Sequence, residues 1–127
     1  MARREGHYPY EAYLNTHCQP LEILDVPVLE GACTDEWCNQ TLCRVDESVV
    51  RLGIVKGEGH WHKHDEDGEF SFVLEGCLIV DLEGKRVELS SRQGYVVPKG
   101  IVHRTSARER TVMLMVENAG IAPTGDS

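Results

Sequence analysis

The sequence lacks a long apolar run, an excess of basic residues and an even number of cysteines. Its apolar stretches are only a few residues long, so no membrane-spanning helix is predicted. Lys and Arg total 13 against 21 Asp and Glu, and the formal net charge of −8 disfavours nucleic acid and anionic membranes as partners. Residues 1–10 hold two arginines without an apolar run behind them, so we expect no signal peptide and a cytoplasmic location.

The five cysteines do not form a recognisable framework. An odd number without a secretion signal argues against structural disulfides. The spacing Cys33-x4-Cys38-x4-Cys43 also differs from the C-x2-C pairs of structural zinc sites. We interpret the cysteines as reduced thiols in or near strands, with a metal or redox site as the alternative.

The size and composition are those of one soluble domain. The chain has 127 residues, of which 41% are apolar and 27% charged, and this balance excludes intrinsic disorder. No repeat, low-complexity stretch or linker divides it. We therefore expect a single domain over residues 1–127.

From about residue 42 onward, short β-branched runs alternate with turn residues. No long segment shows a 3.6-residue apolar period. The pattern predicts an all-β fold, either an antiparallel sandwich or a barrel. The predicted strands are 49–56, 70–74, 77–82, 85–89, 94–98 and 111–117, with a hairpin turn at Glu83-Gly84.

The first 40 residues are less regular. Residues 21–29 are predicted to form one extended segment broken by Pro27, and residues 8–20 allow one short helical turn.

Four of the six histidines fall in two short segments. His62 and His64 are two residues apart, so on a strand both side chains point to the same face. A polar turn over residues 65–68 and a returning strand would bring Glu69 back beside them. Two imidazoles and a carboxylate inside an apolar sheet are costly to bury unless a divalent cation satisfies them.

A fourth ligand would have to come from elsewhere in the chain, and residues 98–103 offer His103. Pro98 restricts the backbone there, and Gly100 permits the turn that precedes the histidine. The sequence therefore predicts a metal site built from two separate segments.

With these two segments the sequence resembles the cupins. Their motifs are G-x5-H-x-H-x3,4-E-x6-G and G-x5-P-x-G-x2-H-x3-N, and the resemblance covers about residues 45–117. The seven matching positions are His62, His64, Glu69, Gly76, Pro98, Gly100 and His103. Three positions depart from the motifs, because the leading glycines are displaced to Gly57 and Gly94 and Ala107 replaces the closing asparagine. None of the three is a metal ligand in the family.

The resemblance implies a jelly-roll β-barrel of the RmlC-like kind, with residues 1–44 packed on it as extended segments. Residues 120–126 are similar to the tail of small cupins described as mannose-6-phosphate-isomerase-like. By the same resemblance, one divalent transition metal, which could be iron, manganese, nickel or zinc, is held by four ligands. These implied ligands are His62, His64, Glu69 and His103.

His60 is a further imidazole of the first segment. If strand alternation extends back from His64 through His62, His60 faces the barrel and could act as an acid or base beside the metal. The alternative is a histidine at the barrel mouth that is hydrogen-bonded to solvent. His7 and His17 are interpreted as surface residues.

The strand after Glu69 should present alternate residues to the two faces. Ser71 and Val73 would then point into a roomy, partly polar pocket, unless the register is shifted by one residue. Arg51, Arg104 and Lys99 are candidates for holding a carboxylate or phosphate at the pocket mouth, although a surface role is the alternative for each.

An apolar outer face is also predicted. Trp61 and Lys63 should lie opposite the ligands, and Phe70 and Phe72 would face outward with them. Such a face must be covered, either by a second subunit or by the N-terminal 40 residues. Small cupins commonly dimerise, so a two-fold homodimer is expected.

Two function classes follow. The first is a metalloenzyme of the dioxygenase, isomerase or lyase type that acts on a small oxygenated molecule. The second is a non-catalytic module that binds or senses a small molecule. His60 suits the isomerase or lyase route, which needs a base beside a Lewis acid.

Overall fold

The computed structural model describes residues 11–13, 16–34 and 36–120, the first of these ranges by its backbone alone. His7 therefore lies outside the described residues, as do residues 121–126 of the tail. The described elements are β1 (Glu11–Tyr13), α1 (Val26–Ala32), β2 (Cys38–Val45), β3 (Ser48–Glu58), β4 (Glu69–Glu75), β5 (Cys77–Leu82), β6 (Lys85–Ser90), β7 (Gly94–Val97) and β8 (His103–Asn118).

The six predicted strands are confirmed as β3 to β8. The main difference is β8, which begins at His103 instead of residue 111. His103 was expected to start a strand, but the charged residues at 104–110 interrupt the apolar pattern that marks the predicted run 111–117. Pairing with β5 and β3 nevertheless supplies their backbone hydrogen bonds.

The long strand β8 organises the sheet. Its first part pairs antiparallel with β5, and its later part lies between β3 and β4. The main strand order is β1-β2-β3-β8-β4-β7, and the β5–β6 hairpin joins through β8. Strand β8 thus pairs with β5, β3 and β4. Because the end of β3 pairs with β8 at Ser106, the start of β8 lies close to the end of β3.

Alternation along the strands separates two faces. Val55, Val73 and Met113 belong to one buried cluster, whereas Leu52 and Ile54 belong to another on the opposite face. Ser71 is buried at 7% exposure and Val73 at 0%. The predicted register of β4 is therefore confirmed, with Phe70 and Phe72 on the other face.

The prediction of an extended segment over residues 21–29 is wrong in its second half. Helix α1 begins after Asp25, whose side chain accepts a hydrogen bond from the backbone N–H of Val28 at 3.2 Å. Pro27 lies in the first turn, where a missing N–H costs nothing. Pro27 therefore helps to start a helix instead of breaking a strand.

The N-terminal segment covers part of the outer face. Leu24, Val26 and Leu29 pack against the second cluster, beside Leu74 and Leu114. Cover by residues of the same chain is thus confirmed for this part of the sheet. The helical turn allowed over residues 8–20 does not form at Glu11–Tyr13, which instead pairs parallel with β2.

The interpretation of all five cysteines as reduced thiols is wrong for two of them. Cys33 and Cys38 form a disulfide with a Cα–Cα distance of 6.3 Å. Cys33 caps the end of α1 and Cys38 begins β2, so the return of the chain brings them together. Cys18, Cys43 and Cys77 are free, as expected.

Among the described residues, no helix has the length and hydrophobicity that crossing a membrane requires.

Two glycines provide a test of the packing at the β4–β5 turn. Gly76 has φ +99° and a Cβ there would lie 2.5 Å from Thr111 Oγ1, whereas Gly84 has φ +72° with open space around it. Left-handed backbone costs an alanine about 1–2 kcal/mol, so Gly84→Ala should lower the free energy of unfolding by about that amount. Gly76→Ala should lower it by roughly 3 kcal/mol or more, because a clash adds to the backbone cost.

Urea denaturation of both variants measures the difference. Thr111 is fully buried and its hydroxyl bonds to both backbone groups of Cys77, so it cannot move away cheaply. Equal losses in the two variants would show that the close contact at Gly76 relaxes.

Candidate metal centre

Two backbone hydrogen bonds join the two histidine segments. His62 N–H donates to the carbonyl of His103, and His103 N–H donates to the carbonyl of His62, each at 2.8 Å. His62 lies beyond the end of β3 and His103 opens β8. The two imidazole rings consequently lie 4.3 Å apart between centroids.

Three of the predicted ligands converge around this bridge. Donor atoms of His62, His64 and Glu69 all lie within 4.8 Å of one another. The turn after His64 returns the chain to β4, where Glu69 is the first residue, and His64 Nε2 lies 3.0 Å from Glu69 Oε2. The ring of His103 is 6.2 Å from that of His64. The structure therefore groups three of the four expected ligands and places the ring of His103 beside that of His62.

Backbone carbonyls orient two of the imidazoles. His62 Nδ1 lies 3.1 Å from the carbonyl of His60, and His103 Nδ1 lies 2.9 Å from the carbonyl of Ile101. A carbonyl only accepts, so each Nδ1 carries a hydrogen, and Nε2 is the nitrogen left to bind a metal. Metal-binding histidines in proteins are oriented in this manner.

The charge states also suit a cation. Burial and the neighbouring His103 lower the pKa of His62 to about 4, so its imidazole is neutral at pH 7. Burial favours the neutral form of Glu69, but the hydrogen bond from His64 and the surrounding histidines outweigh it and lower the pKa of this carboxyl. Neutral imidazole nitrogens and an ionised carboxylate are ligands for a divalent transition metal, so the donor set fits one.

A second buried carboxylate adjoins the cluster. Glu117 lies opposite Glu69 in the β4–β8 pairing and forms a buried ion pair with Arg51 at 2.5 Å. Burial and the Glu69 carboxylate raise the pKa of Glu117 to about 8, while the Arg51 guanidinium opposes this. Arg51, Glu117 and Glu69 therefore belong to one buried electrostatic network beside the histidines.

The predicted place of Arg51 at the pocket mouth is not what the structure has. Its side chain points inward from the central strand β3, where it is 3% exposed. Its guanidinium also donates to Thr41 Oγ1 at 3.2 Å. Arginine at an inward position was unexpected because a buried guanidinium requires a partner, and Glu117 is distant in sequence.

Arg104, the other arginine of the predicted pocket, is also engaged elsewhere. Its Nε donates to Asp81 at 3.1 Å, and its guanidinium lies 5.1 Å from the ring centre of Trp61. A weaker ion pair reaches Glu58 at 3.6 Å. Arg104 therefore belongs to a polar network around Trp61, which is 45% exposed, and Lys99 is exposed.

The structure alters the reason for expecting His60 near the site. β3 ends at Glu58, so strand alternation does not extend through His60. The half-buried ring nevertheless lies 5.1 Å from the ring of His62. Its backbone carbonyl also holds His62, a contact that side-chain patterns cannot reveal. His17 is exposed, as expected.

A cavity of about 50 Å³ opens beside His62 and Glu69. Ser71 and Val73 are buried in the interior, but they do not border this cavity. Sequence reasoning missed most of its walls, because they come from β2, β3 and β8 and carry no motif. The lining residues are Trp37, Cys38, Asn39, Gly53, Val55, His62, Glu69, Thr105, Met113 and Met115.

Comparisons with known proteins agree with this geometry. Residues 50–117 match the family model Cupin_2, described as a cupin domain. The chain is 38% identical over 85 residues to the uncharacterized protein YdbB of Bacillus subtilis. The aligned region covers 66% of this chain and 75% of YdbB. It is 33% identical over 84 residues to the polyketide synthase CurC of Streptomyces cyaneus. That aligned region covers 66% of this chain and 47% of CurC.

A solved structure supports the fold. The cupin-2 domain protein of Shewanella frigidimarina superposes with a TM-score of 0.73 at 24% identity, over 76% of this chain and 94% of that one. The predicted family and jelly-roll fold are thus confirmed. Together with the family-model match, the likeness shows that this chain belongs to the Cupin_2 family and has the jelly-roll fold of the cupins.

Proposed function

We propose that this protein is a metal-dependent cupin enzyme that acts on a small oxygenated molecule. The observation that carries the proposal is the convergence of His62, His64, Glu69 and His103 beside a cavity. His103 is included because its ring lies against that of His62 and its Nδ1 is held by a backbone carbonyl. One divalent transition metal (iron, manganese, nickel or zinc) would be bound by these four side chains.

The metal would supply Lewis acidity at the substrate oxygen and, if iron, redox chemistry as well. The side chains of the protein would orient the substrate, exclude water and move a proton. His62 and Glu69 border the cavity and would orient the reacting end of the substrate. Met113, Met115 and Val55 would exclude water from it. The imidazole of His60 is our candidate for moving a proton to or from the substrate, because it lies beside His62 at the edge of the site.

The adjoining cavity favours catalysis over a binding-only role. A ligand in it would contact two members of the cluster, so its reactive atoms would reach the metal. The curated relative CurC is named a polyketide synthase, and polyketides are oxygenated carbon chains. We therefore propose small oxygenated carbon compounds as the first substrates to screen. A protein that binds them without turnover would instead be a sensing module.

We also propose a homodimer formed through the part of the outer face that α1 does not cover. Val96 and Val116 are 57% and 37% exposed, and both pair across strands with Phe70. Neighbouring exposed apolar side chains on one sheet face are typical of an interface. In a two-fold homodimer, this face of one subunit would pack against the same face of the other.

The metal proposal is tested by elemental analysis of protein purified without an affinity tag. Metal should be near-stoichiometric after dialysis in the native protein. His103→Ala should lose affinity by at least the roughly 10- to 100-fold that loss of a group supporting a ligand causes. His17→Ala is the matched control, because His17 is an exposed histidine outside the cluster. Metal-free native protein, with unchanged stability in His103→Ala, would refute the centre.

The role of His60 is tested by His60→Ala. This variant should keep its metal, since the backbone carbonyl that holds His62 is unchanged. The affinity of the loaded protein for acetohydroxamate, a small oxygen-donor ligand, should fall severalfold because a polar group beside His62 is lost. Isothermal titration calorimetry measures this affinity. Loss of metal would show that His60 acts in the metal centre itself.

The dimer is tested by sedimentation equilibrium. The native protein should be a dimer at micromolar concentration, and Val96→Glu should be a monomer, because two carboxylates would be buried in the interface. Val45→Glu is the control, since Val45 is similarly exposed at 61% near the β2–β3 turn. A monomeric native protein, or dissociation by both substitutions, would contradict the assignment.

A further inference from the structure

The cavity beside the metal centre has a polar residue in its other wall. Asn39 lies on β2, and β3 and β8 separate this strand from β4, which carries Glu69. The same cavity is bordered by both residues. A ligand that fills the cavity would therefore contact the metal cluster at one end and Asn39 at the other.

The side-chain oxygen of Asn39 is buried and has no hydrogen-bond donor within reach among the described residues. A buried amide oxygen without a partner destabilises a fold, and such groups are rare in proteins. Those that persist require an explanation, and a ligand is one. The position of this oxygen in the wall of a cavity beside the metal cluster favours that explanation.

A glycine opposite Asn39 makes room for two methionine side chains in the cavity wall. Gly53 is the cross-strand partner of both Asn39 and Met113. A Cβ at Gly53 would lie 2.9 Å from Cε of Met113 and 3.0 Å from Cε of Met115. The methionine ends thus occupy the place of the missing side chain, and their flexible thioethers form an adaptable apolar wall.

We propose that Asn39 determines specificity by accepting a hydrogen bond from the ligand held at the metal centre. The ligand class is a small molecule with a metal-binding oxygen at one end, a short aliphatic link against Met113 and Met115, and a hydroxyl at the other end. A volume of about 50 Å³ limits the link to a few heavy atoms. This inference rests on the proposed function and adds the substrate class to it.

The physical basis is the difference between a satisfied and an unsatisfied buried acceptor. A site that hydrogen-bonds a substrate hydroxyl discriminates strongly against an analogue without it, because the analogue leaves the protein group unpaired. An apolar pocket discriminates only weakly between the same two molecules. Asn39 would convert the cavity from the second kind of site to the first.

The test uses protein loaded with cobalt(II) and three pairs of acids that differ by one hydroxyl. The pairs are glycolate and acetate, 3-hydroxypropanoate and propanoate, and 4-hydroxybutanoate and butanoate. Isothermal titration calorimetry gives the affinity ratio for each pair. The native protein should prefer the hydroxy acid by roughly tenfold in at least one of the two longer pairs. The glycolate pair serves as a reference, because its hydroxyl can bind the cobalt directly.

Three variants locate the origin of that preference. Asn39→Leu, of similar shape, should reduce the ratio to near one while the affinity for the unsubstituted acid is retained. Asn39→Asp keeps an acceptor oxygen and should preserve the preference. Gln40→Leu removes the neighbouring amide of β2, which does not border the cavity, and should leave the ratio unchanged.

The outcomes separate this inference from the proposed metal function. Cobalt content is measured first in every protein, and its absence from the native protein would refute the metal centre and the inference together. If cobalt is retained but the native protein shows no preference, the role of Asn39 is refuted and the metal centre stands. An unchanged ratio in Asn39→Leu, or its loss in Gln40→Leu, also refutes the role of Asn39.

Discussion

The reciprocal pair of backbone hydrogen bonds between His62 and His103 is the contact on which the rest of the site depends. It joins a segment that leaves β3 to a segment that enters β8. The turn after His64 and the pairing of β4 with β8 then bring Glu69 beside the imidazoles. Side-chain packing then only has to orient the imidazole rings, because the backbone of each histidine is already in position.

The interior around this contact combines apolar packing with an unusual concentration of charge. Val73 and Met113 belong to an aliphatic core, whereas Arg51, Glu117 and Glu69 bring ionisable groups into the same interior. Burying these charges is unfavourable unless each is balanced. Arg51 is paired with Glu117, and Glu69 lies within hydrogen-bonding distance of His64. The Glu69 carboxylate, held among imidazoles, is a group to which a divalent cation can bind.

The successes and failures of sequence-based prediction have distinct physical causes. The strands and the inward register of Ser71 were predictable, because strand alternation and turn residues act locally. Helix α1 was missed because Pro27 was taken to break a strand, although it is compatible with the first turn of a helix. The burial of Arg51 and the pairing of Arg104 with Asp81 were not predictable, since the partners Glu117 and Asp81 are distant in sequence.

The sequence by itself determined the family and the residues of the candidate centre, since the spacing of His62, His64, Glu69 and His103 follows from the strand period and the turns between them. Only the tertiary structure decided what surrounds that centre. The cavity, with Asn39 in one wall and Glu69 in another, arises because strands separated in sequence curve around the same interior. Local sequence patterns cannot predict such a cavity, because each strand supplies only one wall and its own sequence does not specify which strand lies opposite.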